Sequence, residues 1–585
     1  MTVNDSDILN NNMLHIYHNK IFRKFDKYFK NNCYDLYGNE SILSVMTDWN
    51  PAEIIGLKPK QLALSLYKEI ITDFIAMLSR KECGYKNLTN HPLLISLINR
   101  PYIDTRISFS SLIPVNLNDE LSNKLCNYYL SKLKNNPDLH DKVEFNICFT
   151  CNTINLTKKL SILKEYEFSN DEINEINNEL VILTNNIVNP QMKRIEKEYD
   201  RLKKLEIYRN KILCDNSDKF DTDKIFELTQ ILKKYGTLPF SNLARFAFIG
   251  KSILLSFVEE NILSTERYNE FMETIHTVSK DMSKDIYLYS IEKISKDIFL
   301  SKYGHLRPGT YDITSLRYDE DFDKYFSKEY IDNLKITKFE NENKEFVLTE
   351  DERCKINIQL KKSHFSENVN ADNILEFIKK STESREYSKF IFSKTLSEIL
   401  KIIKDLLNIY DISEENGSNI DFKIFNEIYS ELKLLPIKDI LLDNIHYNKN
   451  NYKINCKLNL PQLIVDPTEI FEFEYINTKP TFITSKKIQT NIISIDPNSV
   501  NVEGLKDKIV CVCNADPGWE WLFSRDIAGL ITCYGGMNSH MAIRCQELSL
   551  PAVIGCGPEK FNQYNKSKVI EIDCNLELVR IIIVE

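Results

Sequence analysis

Two glycines followed by a Ser-His pair constrain this chain more than any other stretch. Gly535-Gly536-Met537-Asn538-Ser539-His540-Met541-Ala542-Ile543-Arg544 runs on to Leu550-Pro551-Ala552-Val553-Ile554-Gly555. The pattern predicts a tight glycine turn, a short amphipathic helix opening at Ser539-His540, and a buried strand. N–H groups in the first turn of a helix point outward and favour an anion. A histidine there is placed to carry a phosphoryl group, because neutral imidazole is nucleophilic near pH 7 and those donors hold its phosphorylated form. In this reading His540 is the nucleophile. Gly535 and Gly536 let the loop approach the phosphate, and Ser539 with the backbone N–H groups holds its oxygens. Arg544, one turn further along, faces the same side and neutralises charge, with Arg525 as a second candidate cation. The bland alternative is a surface histidine that caps a helix.

The run GGMNSHMAIRCQELSLPAVIG resembles the phosphohistidine signature of phosphoenolpyruvate-utilising enzymes, a family that includes phosphoenolpyruvate synthase, rifampicin phosphotransferase and glutamine kinase. Ala515-Asp516-Pro517-Gly518-Trp519 and Gly529-Leu530-Ile531-Thr532 resemble the lead-in to that loop. The resemblance covers about the last hundred residues. It implies a small swivelling β/β/α domain whose histidine takes a phosphoryl group from a nucleotide site and delivers it to an acceptor site. ATP and Mg²⁺ are implied in the same way. The family's nucleotide is bound by an ATP-grasp domain, and neither its C-terminal ending nor a Walker-type loop is found here. Only 45 residues follow His540, too few for a C-terminal pyruvate barrel. The expectation is therefore an acceptor domain plus a swivelling domain, with a separate ATP-grasp protein as partner.

Length and charge bound the rest. At 585 residues the chain needs three or four domains. A net charge of −9 argues against nucleic acid as the main partner. No run of some 18 apolar residues is evident and the N-terminus lacks a secretory pattern, so neither a membrane span nor export is expected, and a cytoplasmic protein is. The 14 cysteines are scattered, which suits reduced thiols. Cys148-Phe149-Thr150-Cys151 has no second pair at zinc spacing, and no metal site is expected on this chain.

Periodicity predicts a multidomain α+β protein with a mostly helical centre. Residues 1–165 form an N-terminal α/β part of the acceptor region, 166–435 a mainly helical domain, 436–479 a connecting segment and 480–585 the swivelling domain. Residues 1 to about 40 look helical. Tyr102–Phe109 and Val143–Ile147 alternate like strands. Ile173, Ile176, Leu180, Leu183 and Ile187, then Met192, Ile195, Tyr199 and Leu202, follow 3-4 spacings either side of Pro190 and predict a helical hairpin or kinked helix. Residues 335–372 read as strand-like and charged, 373–435 as helix, and Leu458–Phe473 as alternating.

A second motif, Tyr303-Gly304-His305-Leu306-Arg307-Pro308-Gly309-Thr310-Tyr311-Asp312-Ile313, resembles part of the substrate-binding domain of rifampicin-phosphotransferase-like proteins. The resemblance makes His305, Arg307 and Asp312 acceptor-site candidates. His305 suits acid or base work or acceptor orientation, and Arg307 a bidentate hold on phosphate. Both equally suit bracing a buried loop. The block carrying DWNPAEIIG, PYIDTRISFSSLIP and HDKVEFNI resembles synthase-like proteins of surface-polysaccharide gene clusters. Its polar residues in apolar settings, Asp48, Asn50, Glu53, Asp104, Arg106, Asp141, Lys142 and Glu144, need partners, whether a ligand or one another. The acceptor stays open among an amide, a hydroxyl and pyruvate. A non-catalytic subunit that kept the fold is the competing class.

Overall fold

The computed structural model describes residues 11–29, 35–215, 221–326, 328, 331–332, 345–430, 436–458, 460–472, 479–495, 504–515, 517–536 and 539–584. Asp516, Met537 and Asn538 of the signature, and residues 335–344 of the expected strand-like stretch, lie outside them. The chain folds as a multidomain α+β protein with two separate sheets.

The first sheet has four short antiparallel strands in the order β2-β3-β1-β4, with β1 Leu43–Ser44, β2 Leu94–Leu97, β3 Arg100–Asp104 and β4 Leu463–Ile464. Leu43 pairs with both Asp104 and Ile464, so the stretch expected only to connect domains supplies a strand to the N-terminal sheet. Among the described residues of Leu458–Phe473 the rest holds a single 3₁₀ turn, Pro467–Ile470, and no further strand; residues 459 and 473 lie outside the described ones. The alternation of Tyr102–Phe109 is also only half strand. Asp104 ends β3 and its carboxylate accepts the N–H groups of Arg106 and Ile107, capping a helix at Thr105–Ser110. Val143–Asn146 is a helical turn and not a strand. A period of two over so few residues does not separate a strand from a turn of helix packed on one side.

Six helices frame the middle of the molecule: α1 Pro51–Ile54, α2 Asn170–Val188, α3 Arg194–Leu213, α4 Leu238–Glu259, α5 Val278–Ser290 and α6 Lys296–Tyr303. The predicted hairpin is present. Ser169 and Glu172 form a reciprocal cap that starts α2, and Pro190 opens the turn that separates it from α3. Residues 350–362, expected to be strand-like, form a helix with the same kind of cap at Thr349 and Glu352.

A long helix, α7, runs from Ala371 to Ile409, and its 39 residues span about 58 Å. It packs along α4, where Gly250 meets the Cα of Ile378. One helical run, Asp221–Glu259, is long and apolar enough to cross a membrane by length and composition, against the expectation of none, but 67% of its most apolar window is buried inside the protein. Its apolar character serves the contact with α7.

The second sheet has the order β11-β10-β6-β7-β8-β9-β5. Its strands are β5 Thr481–Ile483, β6 Lys487–Ile495, β7 Ile509–Asn514, β8 Gly529–Tyr534, β9 Ala552–Ile554, β10 Ser567–Asp573 and β11 Leu578–Val584. From β6 to β9 the pairing is parallel. Such strands are covered on both faces, and their apolar runs reflect it. Val510, Val512 and Leu530 share a core with Met282 and Ile286 of α5 and Phe299 and Tyr303 of α6. Ile509, Cys511 and Ile531, facing the other way, share one with Leu43 and Tyr102 of the first sheet and with Val45 just after β1. The C-terminal sheet is thus held between the N-terminal sheet and the helical layer.

A Cβ on Gly250 would lie 3.2 Å from the Oγ of Ser381 and 3.3 Å from the Cα of Ile378. Gly250→Val forces α4 and α7 apart and is expected to cost about 1–3 kcal/mol. Urea denaturation followed by far-UV circular dichroism, showing the first transition at lower denaturant, checks this.

Candidate functional site

The signature loop leaves β8 through Gly535 and enters the helix α8, His540–Glu547. Gly535 has φ +146°, and a Cβ there would lie 2.9 Å from both Ala515 Cβ and Ile554 Cγ2. Gly555, at the end of β9 with φ +71°, packs so tightly on the Gly535 carbonyl that no side chain fits between them. Ser539 caps α8: its Oγ accepts the Ala542 N–H at 3.2 Å, and its own N–H donates to the Gly536 carbonyl at 3.0 Å. His540 is therefore the first residue of a capped helix.

The loop lies against α1 and the residues before it. The Gly536 N–H donates to Glu53, whose carboxylate also accepts from Asn50 Nδ2 at 3.1 Å. Asp48 and Asn50 both hold left-handed backbone, at φ +62° and +43°. Glu53 is 3% exposed, and burial pushes its carboxyl up to about 7 against the pull of Lys389, Asn50 and Arg385.

Beside this contact is a cavity of about 180 Å³, with Ser539 in its wall. Asp48, Glu53 and Arg80 line it from the N-terminal part, and Phe240 and Arg245 from α4. His305 and Arg307 come from the second motif, and Arg385, Glu386, Lys389 and Phe390 from α7. Two of its ion pairs are internal. Arg80 meets Asp48 at 2.6 Å, with Ser108 Oγ also donating to Asp48 at 2.7 Å, and Arg245 meets Glu144.

The predicted residues separate into two sets. His540, Gly535, Gly536 and Ser539 fall together in the signature loop, and His305 and Arg307 lie in the cavity wall that also holds Ser539. His305 is buried, and its imidazole is held far below its ordinary value by desolvation and by the nearby Lys394, Arg317 and Arg209, so it is neutral. Asp312 is not in the wall. It accepts from the Thr314 N–H and hydroxyl at 2.9 and 2.8 Å, a local turn. Asp104 caps its helix, and Arg106 donates to the carbonyls of Tyr37 and Leu36. Both are outside the wall.

Arg544 is turned away as well. It is 1% exposed, its Nη2 meets Ser283 Oγ of α5 at 3.3 Å, and its guanidinium sits 5.5 Å from the Phe523 ring. Arg525 donates to the carbonyls of Lys324 and Tyr325. Besides Arg307, the cations in the wall are Arg80, Arg245, Arg385 and Lys389, which the sequence motifs did not single out. The available signal was charge inside apolar helices: Arg245 within α4, and Arg385 and Lys389 one turn apart in α7.

Residues 504–576 match the PEP-utilising enzyme mobile domain. The C-terminal part of the chain therefore carries the mobile domain of phosphoenolpyruvate-utilising enzymes. Rifampicin phosphotransferase of Bacillus subtilis is 26% identical over 276 residues, 44% of this chain and 31% of that protein. The protein of the same name from Bacillus cereus is 28% identical over 188 residues, 31% of this chain and 19% of that one. A probable phosphoenolpyruvate synthase of Staphylothermus marinus is 38% identical over 66 residues, 11% and 8% of the two chains. Each match spans less than a third of the relative's own length.

Among the described residues no three His, Cys, Asp or Glu side chains gather in a way that suits a metal ion. This donor set does not fit the implied Mg²⁺.

The Glu53 carboxyl generates a pH prediction for the docked mobile domain. The folded state holds this proton more tightly than the unfolded chain, whose value is about 4.5. Its contribution, on the order of 3 kcal/mol, is present in full below that value and is lost as pH rises through about 7. Glu53→Gln, which stays neutral, flattens the loss. Thermal melts of both proteins from about pH 5 to pH 8 check this, with wild type falling relative to the variant.

Proposed function

We propose that the chain is the acceptor-and-carrier part of a phosphotransferase, in which His540 carries a phosphoryl group from a nucleotide on an ATP-grasp partner to a small acceptor in the cavity. The observation that carries this reading is the position of the phosphohistidine loop: Gly536 bonds to Glu53, and Ser539 lines the same cavity as Arg385, Lys389, His305 and Arg307. The relatives named rifampicin phosphotransferase favour a transfer to a small molecule.

Transfer needs positioning and charge neutralisation more than new covalent chemistry. The acceptor oxygen attacks phosphorus as the bond from the His540 nitrogen breaks. Lys389 and Arg385 stand beside Glu53 and offset the charge on the moving group. Glu53, poised at about 7 and next to the loop, receives the proton that the acceptor hydroxyl gives up. A mobile carrier serves two sites that each exclude water, so one phosphoryl group is shared without loss to hydrolysis. In this reading the contact of the loop with Glu53 is the acceptor-facing position of the cycle, and visiting a partner requires the mobile domain to leave it.

The test is mass spectrometry of the protein after incubation with Mg-ATP, alone and with a stand-alone ATP-grasp protein. An acid-labile phosphate on wild type, absent from His540→Ala at unchanged melting temperature, is the expected result. A phosphate on neither protein, or the same phosphate on both, sinks the reading.

A further inference from the structure

The charges around the cavity do not cancel. Among the described residues its wall holds five permanent cations, Arg80, Arg245, Arg307, Arg385 and Lys389, and four carboxyls, Asp48, Glu53, Glu144 and Glu386. Arg80 pairs with Asp48, Arg245 with Glu144, Arg385 with Glu386 at 3.8 Å, and Lys389 acts on Glu53. Arg307 is left over. It is 5% exposed and forms no ion pair among the described residues. Its guanidinium donates only to the carbonyls of Asp312 and Ser315 at 3.4 and 3.3 Å and to Ser397 Oγ at 3.1 Å, and its Nε has no hydrogen-bond partner. Asp312, Asp319 and Glu320 act on it from outside the wall without pairing, and Arg317 repels it. His305 is beside it, its Nδ1 also without a hydrogen-bond partner and its ring 4.9 Å from Phe390.

This end is distinct from the phosphoryl end. Ser393 and Ser397 of α7 hold His305 and Arg307, whereas Lys389 acts on Glu53, which accepts the Gly536 N–H of the loop. From Lys389 to Ser397 is about 12 Å along the helix. Tyr67, Phe240, Met282 and Phe390 line the cavity with apolar surface. A buried cation with an open donor, beside a neutral imidazole, suits one negative charge; an uncompensated charge in such a place is costly.

We infer that the acceptor is a small hydroxy acid whose carboxylate is bound by Arg307 and His305 and whose hydroxyl points to the signature loop. The placement of the hydroxyl rests on the phosphotransferase reading, and the carboxylate site does not. Among the described residues of the wall Arg307 is the one cation without an ion pair or a facing carboxyl, so a carboxylate fits better than a phosphate ester.

The experiment is isothermal titration of the full-length protein with 6-hydroxyhexanoate, 1,6-hexanediol and hexyl phosphate. The hydroxy acid is expected to bind roughly tenfold or more tighter than the diol, the worth of a charge-assisted hydrogen bond. Arg307→Met is expected to remove that preference, and Arg307→Lys to retain part of it. Equal binding of acid and diol, no binding of the acid, a preference that survives Arg307→Met, or tighter binding of the phosphate ester overturns the inference. If Arg307→Met does not fold, the comparison of the ligands on wild type still decides. Acid binding without phosphate on His540 would remove the phosphotransferase reading and leave the carboxylate site. Phosphate on His540 without acid binding would do the reverse.

Discussion

The parallel strands β7 and β8 bury both faces, and the rest of the structure is arranged to cover them. Val510 and Val512 need one apolar partner surface, and Ile509 and Cys511 need another. The helical layer supplies the first and the N-terminal sheet the second. This double cover places the end of β8, and with it the signature loop, where α1, α7 and the second motif converge. The hydrophobic demand of two short strands thereby sets the geometry of the site.

Electrostatics then refine what burial sets. Glu53 accepts the Gly536 N–H with its carboxylate, so a loop donor suited to an anion already faces a titratable group. The loop amide, the carboxylate and Lys389 form a chain in which an added negative charge on the loop side raises the cost of ionising Glu53. Protonation of Glu53 and the charge state of the loop are therefore coupled.

Much of this was legible in the sequence where a residue type has one physical use. The two glycines, Ser539 as cap and His540 at the first helical position are read from local chemistry, and the helical hairpin from its spacing. Tyr102–Phe109 misleads because the capping carboxylate of Asp104 turns the chain mid-pattern. Arg544 misleads because helical spacing gives the side of α8 but not what packs against it; α5 takes up its guanidinium. Arg385 and Lys389 gain meaning only when α7 passes the loop more than 140 residues away in sequence. The family resemblance concerns the C-terminal domain most closely, and the cavity wall is drawn largely from elsewhere.

Strand β4 sits in the N-terminal sheet, while β5, about 17 residues later, opens the C-terminal one. Pairing with Leu43 and Ser44 anchors the chain just before it enters the mobile domain. That stretch, even fully drawn out, spans no more than about 60 Å. Its near end is fixed, and the fixed point belongs to the N-terminal sheet. Any displacement of the C-terminal domain is bounded by this length, so its reach is set by two residues of a four-stranded sheet.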